Sequence, residues 1–314
     1  MQAVHTEVLA TIWDRLVGME TLIGPVVVGC SGGADSSALL AVAAAAGLDP
    51  IAVHVDHGLR PGSADEVAIV ARTAGGFGTA HVARNERVPP GPNLEARARE
   101  VRYRILESVA DDVGAGAVLV GHTADDQAET VLLALLRGSA TAGLAAMAVR
   151  RGRIVRPLLR VRRSETEACC AAMGIELVRD PTNDDVAYRR AWLRHEALPF
   201  LSAGAGRDLV PVLARQAEIL RAETEYLDEL ARAAWPPGPD TPDAATLGHL
   251  PIVLARRAVR QWLGSPPPGF DEVERVLAVA RGEVRAMQLR GGRSVRRSGG
   301  RLEIDEAGAR GAGR

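Results

Sequence analysis

The residues best placed for chemistry lie in the run Val26-Val27-Val28-Gly29-Cys30-Ser31-Gly32-Gly33-Ala34-Asp35-Ser36-Ser37, which reads as a strand, a small-residue loop and a helix start. Glycines let backbone N–H groups turn toward an anion, and a helix N-terminus behind them adds about half a positive charge. The run is a phosphate cradle that needs no lysine. A carboxylate beside phosphate is repulsive unless a cation lies between them, so Asp35 reads as a Mg²⁺ ligand shared with nucleotide phosphates. Two other readings compete. One is a plain strand-to-helix turn in which Asp35 or Ser36 caps the helix. The other is the Gly-x-Ser-x-Gly nucleophile elbow, which Gly29-Cys30-Ser31-Gly32-Gly33 satisfies, with Asp125 and His195 following in the order of an esterase triad. That elbow would fall on the first strand, with no upstream segment to supply an oxyanion loop, and it leaves Asp35 and Ser36 unexplained.

The second constellation is Val120-Gly121-His122-Thr123-Ala124-Asp125-Asp126-Gln127-Ala128-Glu129-Thr130, at the carboxyl end of a strand, where open α/β sheets bind ligands. Asp126 and Glu129, three apart, share a helix face and form an acidic patch suited to an ammonium group. The plainer reading is an acidic first turn facing the helix dipole. His54, Asp56, His57 and His122 are strand-end groups that read as hydrogen-bonded walls of a site more than as transition-metal ligands.

These residues need a scaffold, and the first half of the chain supplies its pattern. Short apolar runs alternate with helix-period stretches: strands over Pro25–Gly29, Ile51–Val55, Thr79–Val82 and Ala117–Gly121, and helices over Ser36–Ala46, from an Asn93 cap to about Val113, and over Ala124–Arg137. This is the signature of an α/β fold with a doubly wound, mostly parallel sheet. An irregular arginine-rich stretch follows, ending in a short helix stopped near Pro199. Beyond it come a long amphipathic helix over Arg207–Ala234, a Pro-rich linker over Pro236–Pro242, two helices around Ser265–Gly269, and strand-like segments separated by Gly291-Gly292 and Gly299-Gly300. The expected division is a catalytic domain over 1–200 and a smaller helical, α+β C-terminal domain over 201–314.

Composition narrows the chemistry. The chain of 314 residues, 47% hydrophobic and 25% charged, is ordinary for a soluble globular protein. The longest unbroken apolar stretch, Ala38–Ala46, is too short to span a bilayer, and no signal peptide is read at the start, so a cytoplasmic protein with no membrane span is expected. Three cysteines build neither a disulfide framework nor paired Cys-x-x-Cys zinc modules. The sequence contains no lysine, which excludes a Walker-A lysine, a kinase strand lysine and a Schiff base. Net charge is −1, but Arg150–Phe200 and Arg285–Arg301 are basic while Arg207–Asp243 is acidic. Arg150–Arg163 and Arg285–Arg301 are therefore candidate phosphate tracks.

Taken together, the motifs carry a resemblance. Ser31-Gly-Gly-Ala-Asp-Ser36 resembles the PP-loop of the N-type ATP pyrophosphatases, a doubly wound group that cleaves ATP to AMP and pyrophosphate while activating an oxygen. Within that group, His54-Val-Asp-His-Gly-Leu-Arg60, Ala98-Arg-Glu-Val-Arg-Tyr103, Gly121 to Thr130, Arg137-Gly-Ser-Ala-Thr-Ala-Gly-Leu144 and Asp180-Pro-Thr-Asn-Asp-Asp185 are similar to the tRNA-isoleucine lysidine synthetase family. The resemblance implies adenylation of the wobble cytidine of a tRNA(Ile) with a CAU anticodon, then displacement of AMP by the ε-amine of free lysine. It carries ATP binding onto Ser31, Gly32, Gly33, Ala34, Asp35 and Ser36, with Asp35 also the Mg²⁺ ligand. It carries lysine recognition onto Asp126 and Glu129, charge stabilisation at the reacting centre onto Arg102, and tRNA contacts onto Arg137, Arg190, Arg194 and the C-terminal domain. The chain departs from the family pattern at Ala191, where an asparagine is usual, and at Asp56, which replaces a histidine. It is short for the family, with one C-terminal domain, and carries no sign of its oligomeric state. A tRNA thiolase, which would need site cysteines, and a non-catalytic nucleotide sensor are the alternatives within the fold.

Overall fold

The computed structural model describes residues 2–58, 63–89, 91, 94–178, 185–235 and 243–305. The Asn93 cap, the Pro236–Pro242 linker and most of Asp180–Asp185 lie outside them. In order, the first elements are α1 (Gln2–Trp13), β1 (Pro25–Gly29), α2 (Ala34–Ala45), β2 (Asp49–Asp56), α3 (Ser63–Gly76), β3 (Ala80–Asn85), α4 (Leu94–Asp112), β4 (Ala117–Val120) and α5 (Ala124–Leu136). They are followed by α6 (Thr141–Leu144), β5 (Arg150–Arg151), β6 (Ile154–Val155), α7 (Arg163–Ala172), α8 (Arg189–Trp192), α9 (Leu198–Ala205) and α10 (Val210–Ala234).

β1 consists almost wholly of valine, which suits a strand covered on both faces. Its side chains alternate: Val26 and Val28 join a core with α1, α2 and α7, and Val27 joins one with α4. The sheet order is β3-β2-β1-β4-β6-β5, all parallel except the β5–β6 hairpin. The chain runs outward from β1 through β2 to β3 and then crosses to β4 on the other side. The carboxyl ends of β1 and β4, where the crevice of such a sheet opens, are the ends that carry the two motifs.

Two glycines make the junction possible. Gly32 has φ +81°, and a Cβ there would stand 2.4 Å from Val178. Gly121, just beyond β4, lies so close to the first turn of α2 that a Cβ would meet the Asp35 carbonyl carbon at 2.9 Å and the Ser36 nitrogen at 3.0 Å. Any side chain at 121 would push the two motifs apart.

The sequence reading fails at Pro199. The helix does not stop there: α8 passes through a π-helical turn, Leu193–Ala197, into α9, with Pro199 in its first turn. Proline lacks the N–H of an α-helical bond and its ring crowds the carbonyl four residues back, and the widened turn absorbs both. By compactness the chain forms two units, Met1–Arg221 and Ala222–Arg314. Leu198, Val210 and Leu213 pack on Ala124, Ala128 and Leu132 of α5, which ties α9 and the start of α10 to the first unit.

The second unit contains the end of α10, α11 (Ala244–His249), α12 (Ile252–Leu263), α13 (Phe270–Arg281) and an antiparallel sheet of β7 (Ala286–Gln288), β8 (Ser294–Ser298) and β9 (Arg301–Asp305). Its core joins Trp235, Leu247, Val259, Leu277, Val295 and Leu302. Glu272 closes the start of α13, accepting the Arg290 N–H at 2.9 Å and the Gly269 N–H at 3.1 Å, and these bonds hold its carboxyl below the ordinary range. A depressed native pKa gives stability that is present above the unfolded pKa and is lost as pH falls through the native one. Glu272→Gln is therefore expected to lower the melting temperature at pH 7, with the gap closing toward pH 3 in thermal melts followed by circular dichroism.

Candidate active site

The loop from β1 to α2 is tied by its own serines. Ser36 Oγ donates to the Gly33 carbonyl at 3.0 Å, accepts the Ser31 N–H at 3.2 Å and lies 3.3 Å from Ser31 Oγ. Gly33 is the N-cap and Ala34 the first residue of α2. The loop's N–H groups are thus gathered at a helix start, and Asp35 stands in the first turn beside them.

Asp35 is the meeting point of the two motifs. One carboxylate oxygen accepts from Thr166 Oγ1 and the other from Arg163 Nε at 3.3 Å. The same guanidinium reaches Asp126 at 2.9 Å and Glu129 at 3.4 Å, while the Arg163 backbone N–H donates to Asp125 at 2.8 Å. Four carboxylates therefore surround one arginine. Burial pushes the Asp35 carboxyl up to about 6 despite Arg163. For Asp126 burial acts in the same direction, but Arg163 and the Thr123 N–H outweigh it and hold this carboxyl below the usual range.

Asp126 and Glu129 share a face as their spacing requires. Asp126 also accepts from Thr123 N–H and Oγ1, forming a capping box at the start of α5. Glu129 is fully buried and accepts from Arg194 Nε at 2.8 Å, with Arg190 Nη1 at 3.8 Å from its other oxygen. Arg190 and Arg194, expected on tRNA, are thus turned inward onto Glu129, with Arg194 placed by the π-helical turn.

A basic wall stands beside the acids. Arg99 Nη1 donates to His122 Nε2 at 3.2 Å and its guanidinium lies 5.0 Å from the Tyr103 ring centre. Burial, together with Arg99, Arg156 and Arg190, pushes His122 down to about 3 and keeps the imidazole neutral. Arg102 is on the exposed side of α4, near enough to depress His57, whose burial acts in the same direction. Arg99 and Arg163 are the residues sequence reading missed. Arg99 is detectable as the i−3 neighbour of Arg102 on one helix face, but Arg163 carries no local signal.

Other expectations change. Asp125, the orienting acid of the esterase reading, is bound by Arg162 and the Arg163 N–H. His54 and His57 make ring-nitrogen hydrogen bonds to the Cys30 and Glu86 carbonyls, as site walls do. Part of the Arg150–Arg163 track is engaged by the chain itself: Arg153 and Arg160 form surface pairs with Asp111 and Glu218, Arg156 is buried against the Ala148 carbonyl and Arg162 pairs with Asp208. In Arg285–Arg301, Arg290 reaches Glu272, and Arg296 reaches Glu303 and Asp305.

The chain is similar to known proteins. A PP-loop domain family description matches residues 16–201. A tRNA(Ile)-lysidine synthase of Salinispora tropica is 43% identical over 311 residues, covering 91% of this chain and 92% of the relative. The chain belongs to the tRNA(Ile)-lysidine synthase family. Another member of the family, from Deinococcus deserti, is 41% identical over 302 residues, and the chain spans only 55% of its length. In fold the chain is similar to the U34-tRNA thiolase NcsA from Methanococcus maripaludis, with a TM-score of 0.57 at 17% identity over 70% of this chain and 80% of that one. That likeness shows a shared fold and does not favour thiolation. Among the described residues no helix is long and apolar enough to cross a membrane.

The cysteines fit the family assignment. Burial pushes Cys30 and Cys170 up to about 12, and raises Cys169 as well. A buried thiol with a raised pKa is unreactive because only the thiolate attacks. Native protein at pH 8 is expected to leave all three thiols unlabelled by iodoacetamide, and denatured protein to label all three, as read by mass spectrometry.

Proposed function

We propose that the protein carries out the reaction for which its family is named: ligation of free lysine to C2 of the wobble cytidine in a tRNA(Ile) bearing a CAU anticodon, releasing AMP and pyrophosphate. One observation carries the reading. An anion-receptive loop and a cation-receptive acidic pair converge within reach of a single guanidinium, that of Arg163.

In the first half-reaction the cytidine 2-oxygen attacks the α-phosphorus of ATP and pyrophosphate leaves. The loop from Ser31 to Ser36 orients the phosphates with backbone N–H groups at the helix start, and the basic wall of Arg99 and Arg102 offsets developing charge. Mg²⁺ takes one or two carboxylates and completes its shell with phosphates and water. Asp35 is the residue that would hold it, and Mg²⁺ when bound would offset phosphate charge.

In the second half-reaction the lysine ε-amine attacks C2 and AMP leaves. The ammonium gives up one proton before attack, and the nitrogen gives up another after the bond forms. Asp126, held ionised by Arg163 and the Thr123 N–H, is suited to holding the amino acid by charge and poorly suited to accepting these protons. Arg163 and Arg194 now occupy the acidic pair, so lysine enters by displacing a guanidinium. The second unit and the exposed Arg137 are the tRNA contacts of this reading, which places the protein in the cytoplasm.

The test is product analysis with labelled ATP. AMP and pyrophosphate should appear only with Mg²⁺ and the CAU-anticodon tRNA. ADP and phosphate, or fluorophosphonate labelling of Ser31, would point to a different class of enzyme.

A further inference from the structure

A surface pocket of about 350 Å³ is lined by Leu133, Leu136 and Arg137 of α5 and by Arg189 and Trp192 of α8. Glu129, Leu133 and Leu136 follow one another at i, i+4 and i+7, so the pocket continues the face of α5 that carries the buried acid. It begins roughly 6 Å and ends roughly 10 Å along the helix from Glu129. α8 connects the two places: Arg190 reaches Glu129, while Arg189 and Trp192, three apart, share the pocket side.

The lining has an unusual balance. Trp192 is 38% exposed and Leu136 66% exposed, a sizeable apolar surface to leave in water. Arg137 and Arg189 are both exposed, and neither pairs with a carboxylate among the described residues. Arg189 also opens a helix, where the dipole disfavours a cation. Local stability does not account for its placement. An open indole with two exposed guanidiniums has the chemistry that recognises a nucleotide: a ring to stack on and charge for phosphates.

We propose that this pocket takes a nucleotide of the RNA strand flanking the reacting base, its base against Trp192 and Leu136 and its phosphates on Arg137 and Arg189. The proposal rests on the RNA-modifying reading above and adds a site for substrate outside the reacting centre. Glu129 is close enough for a neighbouring nucleotide to cover the distance. The strand held here would then bear on α8, and through Arg190 and Arg194 on the acidic pair.

The experiment measures binding of an in vitro transcript of the CAU-anticodon tRNA, and of a short single-stranded oligoribonucleotide, to full-length protein across a salt series. Trp192→Ala should weaken binding of both probes by about 5- to 100-fold, and Trp192→Phe should recover most of it, because stacking survives in a smaller ring. Arg137→Gln and Arg189→Gln should each flatten the dependence of log affinity on log salt by about 0.7. Half-saturating ATP should not move in any of the four. If the wild type binds the transcript and Trp192→Ala matches it, the pocket is not an RNA site and the reading of the reaction stands. If Trp192→Ala and Trp192→Phe fail equally and half-saturating ATP moves too, Trp192 is a packing residue and the proposal falls. If the wild type binds neither probe, the proposal falls together with the reading it rests on.

Discussion

Replacing Asp35 with asparagine is expected to lower pyrophosphate release by more than about 100-fold, beyond the 10–100-fold typical of losing a group that only supports a metal ligand. The amide keeps the size of the carboxylate and an oxygen that can accept from Thr166. What it removes is the charge that would anchor Mg²⁺ against the phosphates. The fold should not suffer. Burial raises the native pKa of Asp35 to about 6, so its contribution to stability is full below the unfolded value of 3.8 and is lost as pH rises through 6. Above pH 6 a neutral amide spares the native state a buried charge, and Arg163 keeps Asp126 and Glu129 as partners. Thermal melts at pH 8 without Mg²⁺ should show Asp35→Asn at least as stable as wild type. A variant that lost stability and activity together would mean that Asp35 serves the fold.

Asp126→Asn is expected to divide the reaction. Losing a charge-assisted bond to an ammonium weakens apparent lysine affinity by roughly 10- to 150-fold, while tRNA-dependent pyrophosphate release stays near the wild-type rate. Asparagine still accepts the Thr123 N–H, so the start of α5 is preserved. The readout is pyrophosphate release and lysine incorporation measured side by side over a lysine titration. If both fell equally while lysine affinity held at the wild-type value, Asp126 would belong to the ATP site. Glu129 is a less clean probe. It is buried against Arg163, Arg190 and Arg194, and neutralising it strands charge in the interior, which costs stability as well as function.

The two motifs were legible because each is local. A valine strand, a glycine loop and a helix start are contiguous in β1 to α2, and the acid pair follows β4 directly, so the sheet and the crevice between β1 and β4 could be read along the chain. Arg163 could not be found this way, because its partner Asp35 is 128 positions away. The arginine tracks show the same limit: charge composition counts Arg160 as free, whereas it pairs with Glu218, 58 residues on. At Pro199 a sound local rule lost to tertiary packing. Leu193 and Leu198 are both buried against α5, and the π-helical turn between them lets the helix pass the proline. That turn aims Arg194 at Glu129, which makes the site dependent on the feature least readable from the sequence.

The central claim is that this fold joins lysine to a cytidine. An unmodified transcript of the CAU-anticodon tRNA(Ile), incubated with the protein, ATP, Mg²⁺ and lysine, can be digested to nucleosides and weighed. The account predicts one cytidine per transcript, at the first anticodon position, replaced by a nucleoside heavier by one lysine less one water, and none when ATP or lysine is left out. An unchanged cytidine, or a nucleoside in which sulfur has replaced oxygen, would contradict it.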